Sequence, residues 1–390
     1  MGVTTNRPNI FKYATKELSQ DAIIRWFLQC CECEGEYQAI GDAFVRQFIF
    51  AESEAKQESI RLLKAHLQYY RMDVFAIIQK GKSIYPVIFE NKTDTYLGEK
   101  QLQDYCGQLM KWISDETWLD KLKKEHNLPE ECQWGQIQCI LFKTGYIFSS
   151  QKEDFQKKKD EIISEHGADN IRVGIRDLDD ILKFLHEHVN SDVLISDYYD
   201  SCEQKREYQQ NLSDSWDSND RDKRNGSLDT HIGQDQLFQY TFEWAQDKSF
   251  NMGNSRGEQW TSYDLIRPAS DKDTQPYYCF RFDQRKNKRA GKYERAFYFE
   301  QYRNEKYYDK SELSKKQDDF MYVWELSRNI VDKLDSSKVE YIAETPKVKN
   351  DNSRMVFKVY VNEGSLPRDV GIFVSEFAQE FLRQYKPTSR

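Results

Sequence analysis

The feature that most constrains this chain is a pair of short apolar runs, Val74 to Ile78 and Ile84 to Phe89, separated by Gln79-Lys80-Gly81-Lys82-Ser83. Runs of this length, rich in β-branched and aromatic side chains, read as buried strands. Gly81 followed by a non-glycine residue suits a two-residue type II′ hairpin turn, whose first central position needs φ > 0. Paired residue numbers in an antiparallel hairpin have a constant sum. A reversal centred between Gly81 and Lys82 therefore sets Asp73 directly across from Glu90. Opposed residues share a sheet face with Cβ atoms roughly 5 Å apart, and Lys92, two beyond Glu90, shares that face too.

Two carboxylates so placed repel, and a cation between them relieves the repulsion. Hard oxygen ligands select Mg²⁺ or Mn²⁺, which leave several positions for water and phosphate oxygens. A lysine beside such an ion positions or deprotonates the attacking water while the ion stabilises the pentavalent phosphate. The pattern Asp73-(x)16-Glu90-Asn91-Lys92 at this hairpin position resembles the PD-(D/E)XK nuclease superfamily. The proline of that name is absent, since Met72 precedes Asp73. Gln101-Leu102-Gln103-Asp104-Tyr105 reads as part of a helix, with Gln101 and Tyr105 on one face. A Q-x-x-x-Y helix after the E-x-K strand is similar to several branches of the superfamily, where it looks onto the active site and the nucleic-acid backbone. Taken alone, the pair reads as a solvated glutamine and a half-buried tyrosine; its place here favours the functional role.

Upstream, Thr15 to Cys31 carries Leu18, Ile23, Ile24, Phe27 and Leu28 at helical spacing, with Glu17 and Asp21 near the start. The stretch ELSQDAIIRWFL resembles the opening of a bacterial subgroup of these nucleases. The resemblance implies an acid on this helix that completes the metal site, Glu17 first and Asp21 second. Gln20 stands where that subgroup frequently has histidine. Acids also favour the first turn of any helix through its dipole, so the functional and structural readings of Glu17 stand side by side.

Further along, Asp42 to Gln68 is expected to be helical and to deliver the chain to the hairpin. Strands are expected at Ile137 to Phe142 and Ile171 to Ile175. Asp177 can cap a helix through Leu178, Ile181, Leu182, Leu185 and Val189, and Asp197 to Asn211 reads as a polar helix. The resemblance covers about residues 10–210. It implies an α/β, restriction-endonuclease-like core, a mixed sheet flanked by helices. His186-Glu187-His188 is no helical zinc pair, because residues two apart diverge. Gly81-Lys82-Ser83 is no P-loop, because Ala76 stands where the first glycine is required.

At 390 residues the chain accommodates two domains. Residues 213–231 carry almost no apolar side chains and read as a polar linker. It would separate a nuclease domain, 1–212, from an α+β domain, 232–390. With 31% charged, 38% hydrophobic and 14% aromatic residues, the composition is that of a globular protein. The eight cysteines lack metal-ligand spacing and fit reduced thiols of a cytoplasmic protein. No apolar run approaches the ~18 residues of a membrane helix, and no secretory h-region is read.

The net charge of −8 offers no bulk attraction for nucleic acid but leaves room for a local basic channel. From Arg281 to Lys316 there are 12 Lys or Arg against 6 Asp or Glu, a local net of +6. Interleaved with them are Phe282, Tyr293, Phe297, Tyr298, Phe299, Tyr302, Tyr307 and Tyr308. Such a surface can neutralise phosphates and stack bases; alternatively the aromatics are the core face of a sheet. The resemblance as a whole implies a Mg²⁺- or Mn²⁺-dependent nuclease, a hydrolase of DNA ahead of RNA, in a bacterial anti-phage defence setting. Asp73, Glu90, the Asn91 main-chain carbonyl and Glu17 would bind the metal. Lys92 would act on the water, and Gln101 and Tyr105 on the phosphate side. The alternative is a catalytically inactive nuclease-fold module that binds nucleic acid or regulates. A homo-oligomer, or a protein partner engaged by the C-terminal domain, is compatible with either.

Overall fold

The computed structural model describes residues 9–12, 17–51, 58–93, 100–246, 250–255, 258–267, 277–286, 293–302, 313–343, 353–362 and 364–386. The chain divides into two compact units, Met1–Ile147 with Gln151–Glu207, and Phe148–Ser150 with Tyr208–Arg390.

The first unit is a mixed sheet flanked by helices. Its elements are α1 (Glu17–Cys30), α2 (Glu36–Phe44), a π-helical turn (Val45–Phe50), β1 (Ile60–Tyr69), β2 (Met72–Lys80) and β3 (Ser83–Lys92). They continue with α3 (Gln101–Ile113), α4 (Glu116–His126), β4 (Gln133–Trp134), β5 (Ile137–Lys143), α5 (Ser149–His166), β6 (Ile171–Arg176), α6 (Leu178–His188) and α7 (Val193–Asp214). The strand order is β1-β2-β3-β5-β6, with β4 also on β3. β1, β2 and β3 are antiparallel, whereas β3-β5 and β5-β6 are parallel. Parallel neighbours need crossovers, which α3 with α4, and then α5, supply.

β2 and β3 are covered on both faces, which is why each reads as a continuous apolar run rather than an alternation. Val74, Ala76, Ile78, Val87 and Phe89 pack with Phe27, Phe44 and Phe184 on one side. Phe75, Ile77, Ile84 and Ile88 pack with Leu102, Cys106 and Leu109 of α3 on the other. The hairpin register runs from Lys80↔Ser83 to Val74↔Phe89, and Gly81 has φ 58° as the turn demands. The expected cap of α6 is present: Asp177 accepts from the Asp179 and Asp180 amides.

Two expectations are corrected. Asp42 to Gln68 is not one helix. Helix α2 ends at Phe44, the π-helical turn closes at Ala51 with φ 52°, and Ile60–Tyr69 is an edge strand. Ile60, Leu62 and Leu63 satisfy either periodicity, and pairing with β2 decides between them. Nor are residues 213–231 a linker. They form a 3₁₀ turn (Ser215–Asp217), α8 (Arg221–Leu228) and the start of α9 (His231–Thr241). Trp216 and Leu228 enter the core of the second unit. Two of the polar residues that lower the apolar content here are helix caps: Asp220 accepts from the Asp222 and Lys223 amides, and Thr230 from Gly233. The division between the units falls at Glu207 and Tyr208, within α7.

The second unit continues from α9 with β7 (Phe250–Ser255), β8 (Glu258–Ile266), β9 (Tyr277–Lys286), β10 (Tyr293–Tyr302), α10 (Leu313–Val331), β11 (Glu340–Ala343), β12 (Ser353–Tyr360) and α11 (Pro367–Gln384). The sheet order is β11-β12-β10-β9-β8-β7, and every pairing is antiparallel. The segment from Pro367 to Gln384 is a single helix, with Pro367 in its first turn. Phe282, Phe297 and Phe299 pack with Phe238, Phe377 and Phe381, so these aromatics are a core face. Tyr307 and Tyr308, and residues 287–292 and 303–312 of the basic segment, lie outside the described residues. No helix among the described residues is long and apolar enough to cross a membrane.

Candidate active site

The site forms where β2 begins and β3 ends. Carrying the register one pair beyond Val74↔Phe89 sets Asp73 opposite Glu90. The Glu90 side chain is fully buried. Its Oε1 accepts from Lys92 Nζ at 2.6 Å and from Gln101 Nε2 at 2.6 Å. Its Oε2 is buried without a hydrogen-bond partner among the described residues. Burial pushes the Glu90 carboxyl up to about 8; Lys92 opposes this and the adjacent Asp73 carboxylate adds to it. Burial pulls Lys92 down, but Glu90, Asp73 and Glu17 outweigh it and leave its pKa raised. Without a metal, Lys92 is therefore a proton-bearing donor.

Asn91 lies between these two residues and faces the other way. Its backbone N–H donates to Asp73 Oδ2 at 2.9 Å. Its side-chain Nδ2 donates to the Glu17 carbonyl at 2.9 Å and to Asp21 Oδ1 at 3.1 Å. Both acids of α1 thus reach the end of β3, with different tasks. Glu17 Oε1 accepts from the Thr93 amide at 3.1 Å. Asp21 is buried and is pushed up to about 6, chiefly by desolvation and then by the Asp73 charge, against the Asn91 and Gln68 amides. The acid joined to Asp73 through a shared donor, Gln68, is the second choice of the sequence, Asp21.

Two participants escape sequence reasoning. Gln68 Nε2 donates to Asp21 Oδ2 at 3.1 Å and to Asp73 Oδ1 at 3.3 Å, joining α1 to β2. Lys143 is set beside Lys92 by the parallel pairing, is buried, and donates from Nζ to the Thr93 carbonyl at 2.6 Å. No local signal marks Gln68. For Lys143 the signal is a charge closing a strand that is apolar but for Gln138.

Gln101 and Tyr105 point into the protein. Gln101 Nε2 also donates to the Tyr105 hydroxyl at 3.1 Å, and that hydroxyl donates to the Arg71 carbonyl at 2.6 Å. The pair expected on the phosphate side forms a brace running from Glu90 to the turn before Asp73. In that turn Tyr69 pairs with Met72, and Tyr70 and Arg71 have φ 50° and 72°. Left-handed backbone costs a residue with a side chain roughly 1 kcal/mol or more, so the Tyr105 hydrogen bond holds a strained loop.

Asp73 and Glu90 fit a divalent cation: among the described residues one buried Glu90 oxygen lacks a hydrogen-bond partner, and burial disfavours an ionised Glu90 even with Lys92 beside it, so a further positive charge would be favourable. Among the described residues no group of three or more His, Cys, Asp or Glu is gathered to hold an ion unaided. Mg²⁺ needs only one or two carboxylates and completes its shell with water and phosphate. No protein-family model, curated protein or solved structure matches the chain.

Proposed function

We propose that the first unit is a divalent-metal-dependent phosphodiesterase built on a PD-(D/E)XK-type core. More particularly, it is a nuclease that hydrolyses DNA in preference to RNA. The observation that carries this reading is Glu90, fully buried opposite Asp73, with Lys92 on one oxygen and no hydrogen-bond partner for the other among the described residues. The antiparallel hairpin continued by parallel strands, with α3 following β3, also supports it.

On this reading Asp73 and Glu90 hold Mg²⁺ or Mn²⁺, with the Asn91 main-chain carbonyl as a further oxygen and a carboxylate of α1, Glu17 or Asp21, behind it. The bound ion supplies charge neutralisation at the phosphate. Lys92, kept protonated by the surrounding carboxylates, donates to a water or phosphate oxygen. Gln101 fixes the rotamer of Glu90, Tyr105 fixes the turn before Asp73, and Gln68 bridges Asp21 and Asp73 by donating to both. A role in bacterial anti-phage defence rests on the resemblance alone, and the second unit is proposed to engage nucleic acid or a partner protein.

The test is incubation with plasmid, linear DNA and RNA in Mg²⁺, Mn²⁺ or chelator. Asp73→Ala, Glu90→Ala and Lys92→Ala should each abolish cleavage while the protein still folds. Full cleavage by any of the three ends this mechanism. Calorimetric Mg²⁺ binding that persists in Glu90→Gln would equally remove the metal from this site.

A further inference from the structure

The reversal between β1 and β2 goes against local backbone preference at its two central residues. Tyr69 pairs with Met72, leaving Tyr70 and Arg71 as a two-residue loop with φ 50° and 72°. A hairpin loop with both central φ values positive favours Asn-Gly or Asp-Gly. A bulky aromatic and an arginine in those positions are outliers, and such departures gather at functional sites. Tyr70 is 59% exposed. Its ring is propped by Tyr69 at 4.7 Å and Trp112 at 5.1 Å, both edge-on, so its orientation is held while much of its surface meets solvent. His66, also exposed, stacks on Tyr69 at 5.0 Å and extends the aromatic surface. Arg71 is exposed, with no ion-pair partner among the described residues. The loop is tied to the site, because the hydroxyl of Tyr105 that receives Gln101 beside Glu90 donates to the Arg71 carbonyl.

We infer that Tyr70 stacks on a nucleobase and Arg71 contacts the adjoining phosphate, so that nucleic acid reaches Asp73 and Glu90 as an unpaired strand. This inference rests on the nuclease reading of that site. In a duplex each base face is covered by its neighbours, and only an unstacked base offers its π-face to a tyrosine. A guanidinium beside the ring supplies the charge-assisted bond that a bridging phosphate accepts. In a chain of net charge −8 such attraction has to be local.

The test is binding of fluorescent oligothymidine and of a duplex of equal length to the full chain in chelator, where nothing is cleaved. The wild type should prefer the single strand. Tyr70→Ala should weaken single-strand binding roughly 5- to 100-fold, Tyr70→Trp should restore it, and Arg71→Ala should lower the salt slope by about 0.7. The double variant Tyr70→Asn, Arg71→Gly separates function from packing. It should keep or raise the melting temperature while losing single-strand affinity, whereas a ring that only finishes the core would lower both. Wild-type preference for duplex, or unchanged oligothymidine binding by Tyr70→Ala, overturns the inference. If cleavage in Mg²⁺ persists in that case, the nuclease reading survives it. If Tyr70-dependent binding is found without any cleavage, the strand contact stands and the nuclease reading falls.

Discussion

The backbone N–H of Asn91 donates to Asp73 Oδ2 at 2.9 Å. The middle residue of the Glu-x-Lys segment therefore holds the first acid of the site, while the residues on either side face the other way and carry Glu90 and Lys92. One short stretch of β3 serves both faces of the sheet at once. Its outcome is that the one Asp73 charge acts on two buried acids, Asp21 and Glu90, and helps to raise the pKa of each.

Stability of the metal-free protein should fall as pH rises. An acid whose pKa is higher in the folded than in the unfolded chain favours folding at low pH, and that advantage is lost as pH rises through the folded value. For Glu90 the loss runs from 4.5 to about 8, and for Asp21 from 3.8 to about 6. In chelator the melting temperature of the first unit should decline between about pH 5 and 8. Glu90→Gln should flatten the decline, and Mg²⁺ should reverse it at the alkaline end. A wild-type melting temperature that climbs over this range in chelator would contradict the burial of Glu90.

Gln68→Leu should separate the two halves of the acid cluster. Removing the amide leaves Asp21 and Asp73 without their shared donor. Above the Asp21 pKa of about 6 this should cost about 1 kcal/mol of stability, with much less below it. Denaturant titrations at two pH values measure the difference, and an equal effect at both would show that Gln68 acts only by packing.

Gly81→Ala tests the hairpin that sets the register. An added Cβ would meet Glu58 Oε1 at 3.4 Å, an ordinary contact, so the penalty comes from the backbone at φ 58°. The expected loss is about 1 kcal/mol, read from the midpoint of chemical unfolding. A neutral result would mean that the turn relaxes out of the left-handed region.

Trp216→Ala should destabilise the second unit by about 3 kcal/mol, because this side chain is 2% exposed within its core. A linker residue would give no measurable change in thermal unfolding.

How far the chain could be read in advance depended on whether the deciding contacts were local. Two apolar runs and one glycine specify the hairpin, because its register follows from neighbours alone, and with it the opposition of Asp73 and Glu90. The four-residue spacing of Gln101 and Tyr105 likewise sets one helix face, though not that this face looks inward to Glu90 and the Arg71 carbonyl. What required the tertiary structure was every choice made by residues distant in sequence. β1 is a strand because β2 pairs with it. Asp21 is linked to Asp73 because Gln68 arrives from the end of β1 and donates to both. The polar stretch 213–231 folds because Trp216 and Leu228 find a core made mostly by residues much further along the chain. Periodicity and turn chemistry are written in adjacent residues, whereas burial and pairing are free-energy gains realised only when separate segments meet.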